Sequence, residues 1–397
     1  MSARELPDVQ ARLRAARGGR LTRAWATTVL AVRMMLFDKS KFVGTVLGVV
    51  FAVVLANQQL GILFGLLQKN TMLVDNAGAD LWITPPSTTS AAPGQRMSTQ
   101  LLYQARQTPG VAQASALVMA GTSVAKPGGG SEAITLIGVD LETMLGGPWN
   151  IVAGDRENLR HVDTLFFEDA QRDKFGGLNL WSVREVGGYR VRTGGFTWGL
   201  QPFGPPYTFA AIDTARTLVG MPSDELSFVL VKLAPGVARA AVIAALRAQI
   251  PTADVVTRED FHARIVRNLL KDQLGVSFGT STAFGLIIGF IIVALSMFSS
   301  VIDNLREFGT LKAIGLTNLD LSRMLIAQSI LYAAIGSLLG LGMVGFMAAG
   351  ISSANLAVIV PHWLVLLTPC VMAVLCMLAS LLALRRVGKL EPGMVFR

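Results

Sequence analysis

The residues of this 397-residue chain that could do chemistry are few, and most of them do not assemble into a catalytic set. The three histidines, His161, His262 and His362, lie far apart at no ligand-like spacing, so no metal site is expected. No G-x-x-x-x-G-K-[ST] loop is present, so the chain has no phosphate cradle for ATP. Gly128, Gly129 and Gly130 lack the Lys and the helix that would follow in such a loop, and read as a turn. The serines stand in no G-x-S-x-G context. Cys370 and Cys376 fall in the last apolar run and read as packing residues. What does cluster is the charged stretch Asp303 to Asn318, DNLREFGTLKAIGLTN. Leu305, Phe308, Leu311 and Lys312 recur at three- and four-residue spacing, which predicts a helix. Gly315 offers the left-handed position that ends it, and Thr317 with Asp320 reads as a capping box opening the next. Such a stretch can receive force from a soluble partner. It supplies no reaction.

The flanking segments decide where this stretch sits. Residues 273–302 and 324–384 contain no Asp, Glu, Lys or Arg. A spanning helix needs roughly 20 apolar residues, so the first run makes one span and the second makes two. A charged connector cannot stay in hydrocarbon and must lie at a membrane face. The expected organisation has a cytoplasmic N-terminus at 1–41, spans at 42–68, 273–302, 321–349 and 357–384, and a connector at 303–320. Residues 69–272 form an extracytoplasmic domain, and 385–397 a cytoplasmic tail. Composition agrees: the chain is 52% hydrophobic and only 15% charged, with a formal net charge of +9. The segments 1–41, 303–323 and 385–397 hold sixteen Lys or Arg against seven Asp or Glu, while 67–275 is balanced. The excess therefore marks the inner face of a membrane and points to anionic headgroups rather than nucleic acid. Residues 20–40 set Arg20, Arg23, Arg33 and Lys39 against Trp25, Leu30, Met34 and Leu36, an amphipathic interfacial helix. The basic region is too long, and the apolar stretch too extended, for a cleaved signal peptide. The spans' lack of ionisable groups argues against an ion-driven carrier.

The fold class expected is therefore an α-helical membrane protein with four spans and an α/β, mixed-sheet domain inserted between the first and second. Segments such as AITLIGVD, TLFFED and SFVLVKL read as strands, and ARAAVIAALRAQI as a helix. The basic helix holding Arg264, Arg267 and Lys271 is expected to run into the second span as one rod. Two stretches read as exposed loops, 85–94 and 194–207. The second carries Phe196, Trp198, Phe203 and Tyr207 among Gly and Pro, and either meets an adaptor or cargo or tucks back into its own domain. Asn57, Gln58 and Gln59 in the first span read as interhelical hydrogen bonds, the outer membrane edge, or a substrate contact. Gly44/Gly48, Gly61/Gly65, Gly285/Gly289 and Gly336/Gly340 make faces for close helix packing, within one subunit or across a dimer.

REFGTLKAIG followed by an apolar helix resembles the cytoplasmic connector of FtsX/MacB-type (type VII) ABC transporter permeases, and GVVFAVVLANQQLGIL resembles the first span of the DevC-like branch. The likeness is specific over 303–340 and weak in the middle region. It implies a homodimer in the bacterial inner membrane, with both termini cytoplasmic and the large domain periplasmic. Two copies of a separate ATPase would hold ATP and Mg, with no cofactor on this chain. Arg306, Glu307, Phe308, Leu311, Lys312 and Ile314 would meet the ATPase, while Gly309 and Gly315 permit close approach and helix termination. Read by themselves, Arg306 and Glu307 also fit a solvated charged turn. The resemblance implies a periplasmic domain of two lobes, here 75–120 with 205–270, and 121–204. It further implies a periplasmic adaptor, an outer-membrane channel, and export of a lipid, glycolipid or other amphiphile. An FtsX-like subunit that signals to a cell-wall hydrolase is the alternative.

Overall fold

A computed structural model describes residues 20–202, 204–304, 307, 309–311, 316–351 and 359–387. The chain divides into two compact units, one of Met1–Gly61, Ser277–Gly350 and Val358–Arg397, the other of Ile62–Val276 and Ile351–Ala357.

In the first unit, helix α1 (Arg20–Phe37) precedes α2 (Lys39–Asn76), whose last residues belong to the second unit. Nine helices are described, α1 to α9; the long ones that follow are α7 (Gln273–Asp303), α8 (Asn318–Ile351) and α9 (His362–Val387). Four helices are long and apolar enough to cross a membrane: Lys39–Asn76, Gln273–Asp303, Asn318–Met347 and His362–Leu382. A helix satisfies its own backbone polar groups, which hydrocarbon demands. Helix α2 is the one the others pack on. A Cβ built at Gly289 of α7 would lie 2.4 Å from Ala52 Cβ, and one at Gly285 would lie 2.7 Å from Leu55 Cδ2. From α8, Gly336 faces Val49 at 2.5 Å and Gly340 faces Val53 at 2.8 Å. Gly48 of α2 itself lies 2.4 Å from Ile292 Cγ2 by the same construction, whereas Gly44 meets nothing within 4 Å. These glycines, Gly44 apart, therefore close-pack within one subunit. Buried Asn57 donates to Val53 O (2.8 Å) and accepts from Thr368 Oγ1 of α9 (3.3 Å), so of its readings the interhelical one holds.

The second unit is built on one ten-stranded sheet. In chain order its strands are β1 (Leu81–Thr84), β3 (Val111–Ala125), β4 (Ser131–Val139), β5 (Ile151–Gly154), β6 (Thr164–Glu168), β7 (Val183–Val186), β8 (Tyr189–Thr197), β9 (Tyr207–Ala211), β11 (Phe228–Leu233) and β12 (Asp254–Thr257). They lie in the order β12-β1-β11-β3-β4-β9-β6-β8-β5, with β7 against β3 and β8. The long hairpin β3–β4 is its middle, and the parallel pairs β4–β9 and β6–β8 make it mixed. β2 (Met97–Ser98) and β10 (Glu225–Leu226) form a separate small ladder. Helices α3 (Gln100–Gln107), α4 (Ile212–Val219), α5 (Arg239–Gln249) and α6 (Arg258–Lys271) cover it. Trp82, Phe228 and Phe261 stack at the centre of one buried cluster, ring centroids 5.4–6.5 Å apart, and Met72, Leu73 and Val74 from the end of α2 join it. A second cluster, around Phe167, Phe175 and Val191, draws its residues from 118–221. One sheet runs through both expected lobes, and each of these clusters draws residues from both of them.

The expected single rod through residues 258–302 is interrupted. Helix α6 ends at Lys271, Asp272 is extended (φ −70°, ψ 164°), and α7 starts afresh at Gln273. Gly275 makes the break possible: a Cβ there would sit 2.6 Å from the backbone of Leu269 and Leu270.

Candidate functional site

The connector predicted to take up force lies at the end of the membrane unit where α1 turns into α2. The elbow residue is Asp38, whose Oδ1 accepts from the Lys41 backbone N–H (3.2 Å) and so caps the first turn of α2. That bond and the Lys41 ammonium, 3.1 Å from Oδ2, hold the Asp38 carboxyl below its ordinary range. The same ammonium is also bonded to Asp303 Oδ2, at the end of α7 where the connector begins. Ser299 Oγ donates to that oxygen as well (3.2 Å). One cation thus ties the α1–α2 elbow, the base of the first span and the end of the second. Lys41 is only half-buried and its partner Asp303 is exposed, so the geometry it imposes matters more than the energy it adds.

Beyond Asp303 the described residues fold back toward the spans. Glu307 and Thr310 are exposed, while Leu311 and Leu316 pack against the buried cluster of Leu321, Met324 and Leu325. Leu316 N–H donates to Leu311 O (3.0 Å). The capping box forms: Thr317 Oγ1 donates to Asp320 Oδ2 (2.7 Å) and accepts from the Asp320 N–H (3.3 Å), opening α8. Leu311 therefore seats the connector on its own spans, and Glu307 lies on the open side with half-buried Gly309 between them. Arg306, Phe308, Lys312, Ile314 and Gly315 lie outside the described residues. Helix α1 completes this end, with Ala31 and Met35 buried and Ala31 O accepting from Gln328 Nε2 of α8 (3.0 Å). Among its described side chains Ala31 and Met35 are buried, the expected Leu30 and Met34 are partly buried against the same cluster, and Leu36, also expected on the apolar face, is exposed.

The second candidate surface needs correction. Residues 194–207 are not one exposed loop, because β8 runs to Thr197 and β9 starts at Tyr207. Phe196 is fully buried under the Arg172 guanidinium, 3.6 Å above its ring, and Tyr207 is 1% exposed. Neither can meet a partner. The glycines that suggested a loop serve close approach instead: a Cβ at Gly194 would lie 2.2 Å from Thr164, and one at Gly195 2.2 Å from the Phe166 ring. Phe203 lies outside the described residues. Trp198 alone of the four is shown exposed, at 46%, on a firmly held turn. Its N–H donates to Asn150 O (3.1 Å), and its carbonyl accepts from Asn150 Nδ2 (2.6 Å). The next residues are held by buried Glu168, whose oxygens accept from Gly199 N–H (2.6 Å) and Leu200 N–H (2.9 Å). Lys69 Nζ donates to Gly199 O (2.5 Å). Burial pushes the Glu168 carboxyl above its ordinary range, against the pull of those two N–H groups and Lys69.

Among the described residues no group of His, Cys, Asp and Glu is placed to hold a metal ion. The arrangement braces the connector against the spans it joins. Sequence reasoning found the connector and its capping box but missed Asp38 and Lys41; the available signal was the D-K-S-K run at the foot of an uncharged span.

The fold and this site define a membrane protein with four candidate spans and a mixed-sheet domain inserted between the first and the second. Residues 279–392, holding most of α7, the connector, α8 and α9, match the FtsX-like permease C-terminal family. Among solved structures, the chain is similar to the periplasmic region of MacB from Actinobacillus actinomycetemcomitans, at 8% identity and a TM-score of 0.36, covering 51% of this chain and 99% of that one. It is also similar to the extracellular domain of the noncanonic ABC-type transporter YknZ from Gram-positive bacteria, at 15% identity and a TM-score of 0.34, covering 45% and 99%. No curated protein matches the chain.

Proposed function

We propose that the chain is the membrane permease subunit of an ATP-driven ABC exporter, and that it carries movement of a separate ATPase to the inserted domain. The observation that supports this most is the FtsX-like permease match over 279–392, which includes the charged connector between the second and third spans. The packing of Leu311 and Leu316 on the spans and the Lys41 bridge to Asp303 suit a part that must move as one with the helices it joins. In this reading the chain works as a homodimer in the inner membrane. Its termini and connector face the cytoplasm, and two ATPase subunits hold ATP and Mg against the connector. The inserted domain, on the far side, works on a lipid, glycolipid or other amphiphile with an adaptor and an outer-membrane channel.

The test is Phe308→Ala in the full chain reconstituted with its ATPase in nanodiscs. Truncating a buried aromatic anchor commonly costs about 2 kcal/mol or more, which at about 1.4 kcal/mol per decade is more than a tenfold loss of ATPase affinity. Insertion and folding should be unchanged. Equal affinity and equal permease-dependent hydrolysis would remove the connector from the coupling path.

A further inference from the structure

Helix α6 buries Phe261 and Ile265 in the domain core and turns its other side outward. Along that side His262, Ala263, Val266, Arg267, Leu270 and Lys271 line a groove of about 580 Å³, within the range of small-ligand sites. Its walls are apolar, and Leu270 is 44% exposed. The polar and charged neighbours nearby are already engaged. Arg264 pairs with Asp254 (2.9 Å), His262 with Asp75 (2.9 Å) and Arg258 with Glu259 (3.2 Å), and Asp272 accepts from Asn268 (3.3 Å). Among the described residues Arg267 and Lys271 have no carboxylate partner. They stand four apart, one helical turn, and so present two cations on the same side.

Position adds a second constraint. Lys271 is separated from the first residue of the apolar helix α7 only by Asp272, and exposed Leu274 and Val276 lie in the first turn of that helix. The groove therefore lies next to the start of a candidate span, and its apolar wall is followed in sequence by exposed apolar side chains. Basic residues at this end of a span also run against the usual charge bias of membrane proteins, which concentrates them at the other face. Two unpaired cations above an apolar stripe at a membrane surface complement one chemistry: a phosphate attached to hydrocarbon.

We propose that α6 holds the headgroup of an anionic phospholipid in the leaflet next to the inserted domain, with Arg267 and Lys271 on the phosphate and Leu270 against the glycerol and first methylenes. Arg267 offers a planar fork of donors and Lys271 a point charge. This does not rest on the transport reading; a bound lipid would fasten the joint between α6 and α7 to the membrane whatever the protein moves.

The test is native mass spectrometry of the full chain, delipidated in micelles and titrated with phosphatidylglycerol. The wild type should retain one lipid that the double variant Arg267→Gln/Lys271→Gln loses, with roughly a tenfold or greater fall in apparent affinity, given about tenfold per 1.4 kcal/mol and about 1 kcal/mol per basic residue near a lipid surface. Arg267→Lys/Lys271→Arg keeps both charges and should keep the lipid, which separates charge from folding. A photoreactive side chain at position 270 should cross-link to phosphatidylglycerol in vesicles made of phosphatidylglycerol and phosphatidylcholine. Unchanged affinity in the Gln variant would overturn the proposal. Displacement by millimolar inorganic phosphate would assign a soluble anion instead, and cross-linking in native membranes to protein rather than lipid would assign a protein partner. Either result would also overturn it.

Discussion

The close approach of α7 to α2 can be tested one methyl group at a time. Gly289→Ala places a methyl 2.4 Å from Ala52 Cβ, where carbon atoms settle at about 3.5–4.0 Å. Neither residue has a rotamer to turn, and Ala52 is fully buried. The only relief is to part the helices, an overpacking penalty of about 1–3 kcal/mol. Replacing Gly by Ala favours a helix by about 0.8–1.0 kcal/mol in water, so the net loss is up to about 2 kcal/mol. Gly44→Ala meets nothing within 4 Å and should keep only the gain. Gly48→Ala meets Ile292 Cγ2 at 2.4 Å, but that branched side chain can shift off its rotamer for about 0.5–1.5 kcal/mol, so the variant should fall between the two. Ala52→Gly removes the opposing methyl, and the pair Ala52→Gly/Gly289→Ala should recover about 1–2 kcal/mol beyond the sum of the single changes. The assay is reversible unfolding of the full chain in mixed micelles by added dodecyl sulfate, followed by circular dichroism. If Gly289→Ala is as stable as Gly44→Ala, or the double variant is merely additive, the packing described for α2 and α7 is wrong.

Two further outcomes are expected in the inserted domain. Glu168 carries a folded pKa raised by burial, so its contribution to stability falls as pH rises from the unfolded carboxylate range through the folded value. Glu168→Gln turns an amide toward two N–H donors and should cost about 1–3 kcal/mol. Thermal unfolding across pH should show the wild-type advantage shrinking as pH rises, and a widening gap would reverse the assigned direction. Gly275→Val would force a side chain into the backbone of Leu269 and Leu270, an overpacking of about 1–3 kcal/mol. Amide exchange at residues 272–276 should then rise while β4 stays protected, and unchanged exchange would mean that the break does not need a glycine.

Much of the architecture was legible because membrane insertion is governed by local composition. Stretches with no charge became spans, and the Thr317–Asp320 cap could be read because both partners lie within one turn. Of the Lys41 bridge only the local half, with Asp38 in the D-K-S-K run, was legible; the other carboxylate, Asp303, lies 262 positions away and nothing local announces that pairing. The break at Asp272 was hidden for a different reason. No Pro or Gly marks it, and the glycine that permits it lies three residues further on, inside the next helix. Phe196 and Tyr207 follow the second of their two readings and tuck into their own domain, and what hid this is that Gly194 and Gly195 suggest a loop when they are small so that Thr164 and Phe166 can come close. Glycine near an aromatic signals two opposite things, and only the partner strand says which.

The unequal build of the two chain crossings has a mechanical consequence. Helix α2 runs for 38 residues without interruption, about 57 Å at 1.5 Å per residue, from Lys41 at its foot to Met72 and Val74 in the domain core. In the coupling role proposed above, a displacement applied at that foot would travel along an unbroken ladder of hydrogen bonds, as along a push-rod. The return crossing is interrupted at Asp272, where Gly275 allows the close approach, and a broken helix resists a change of angle less than a continuous one. In that proposed role, one crossing would drive while the other follows as a tether, and stiffening the tether should hinder that coupling as surely as shortening the rod.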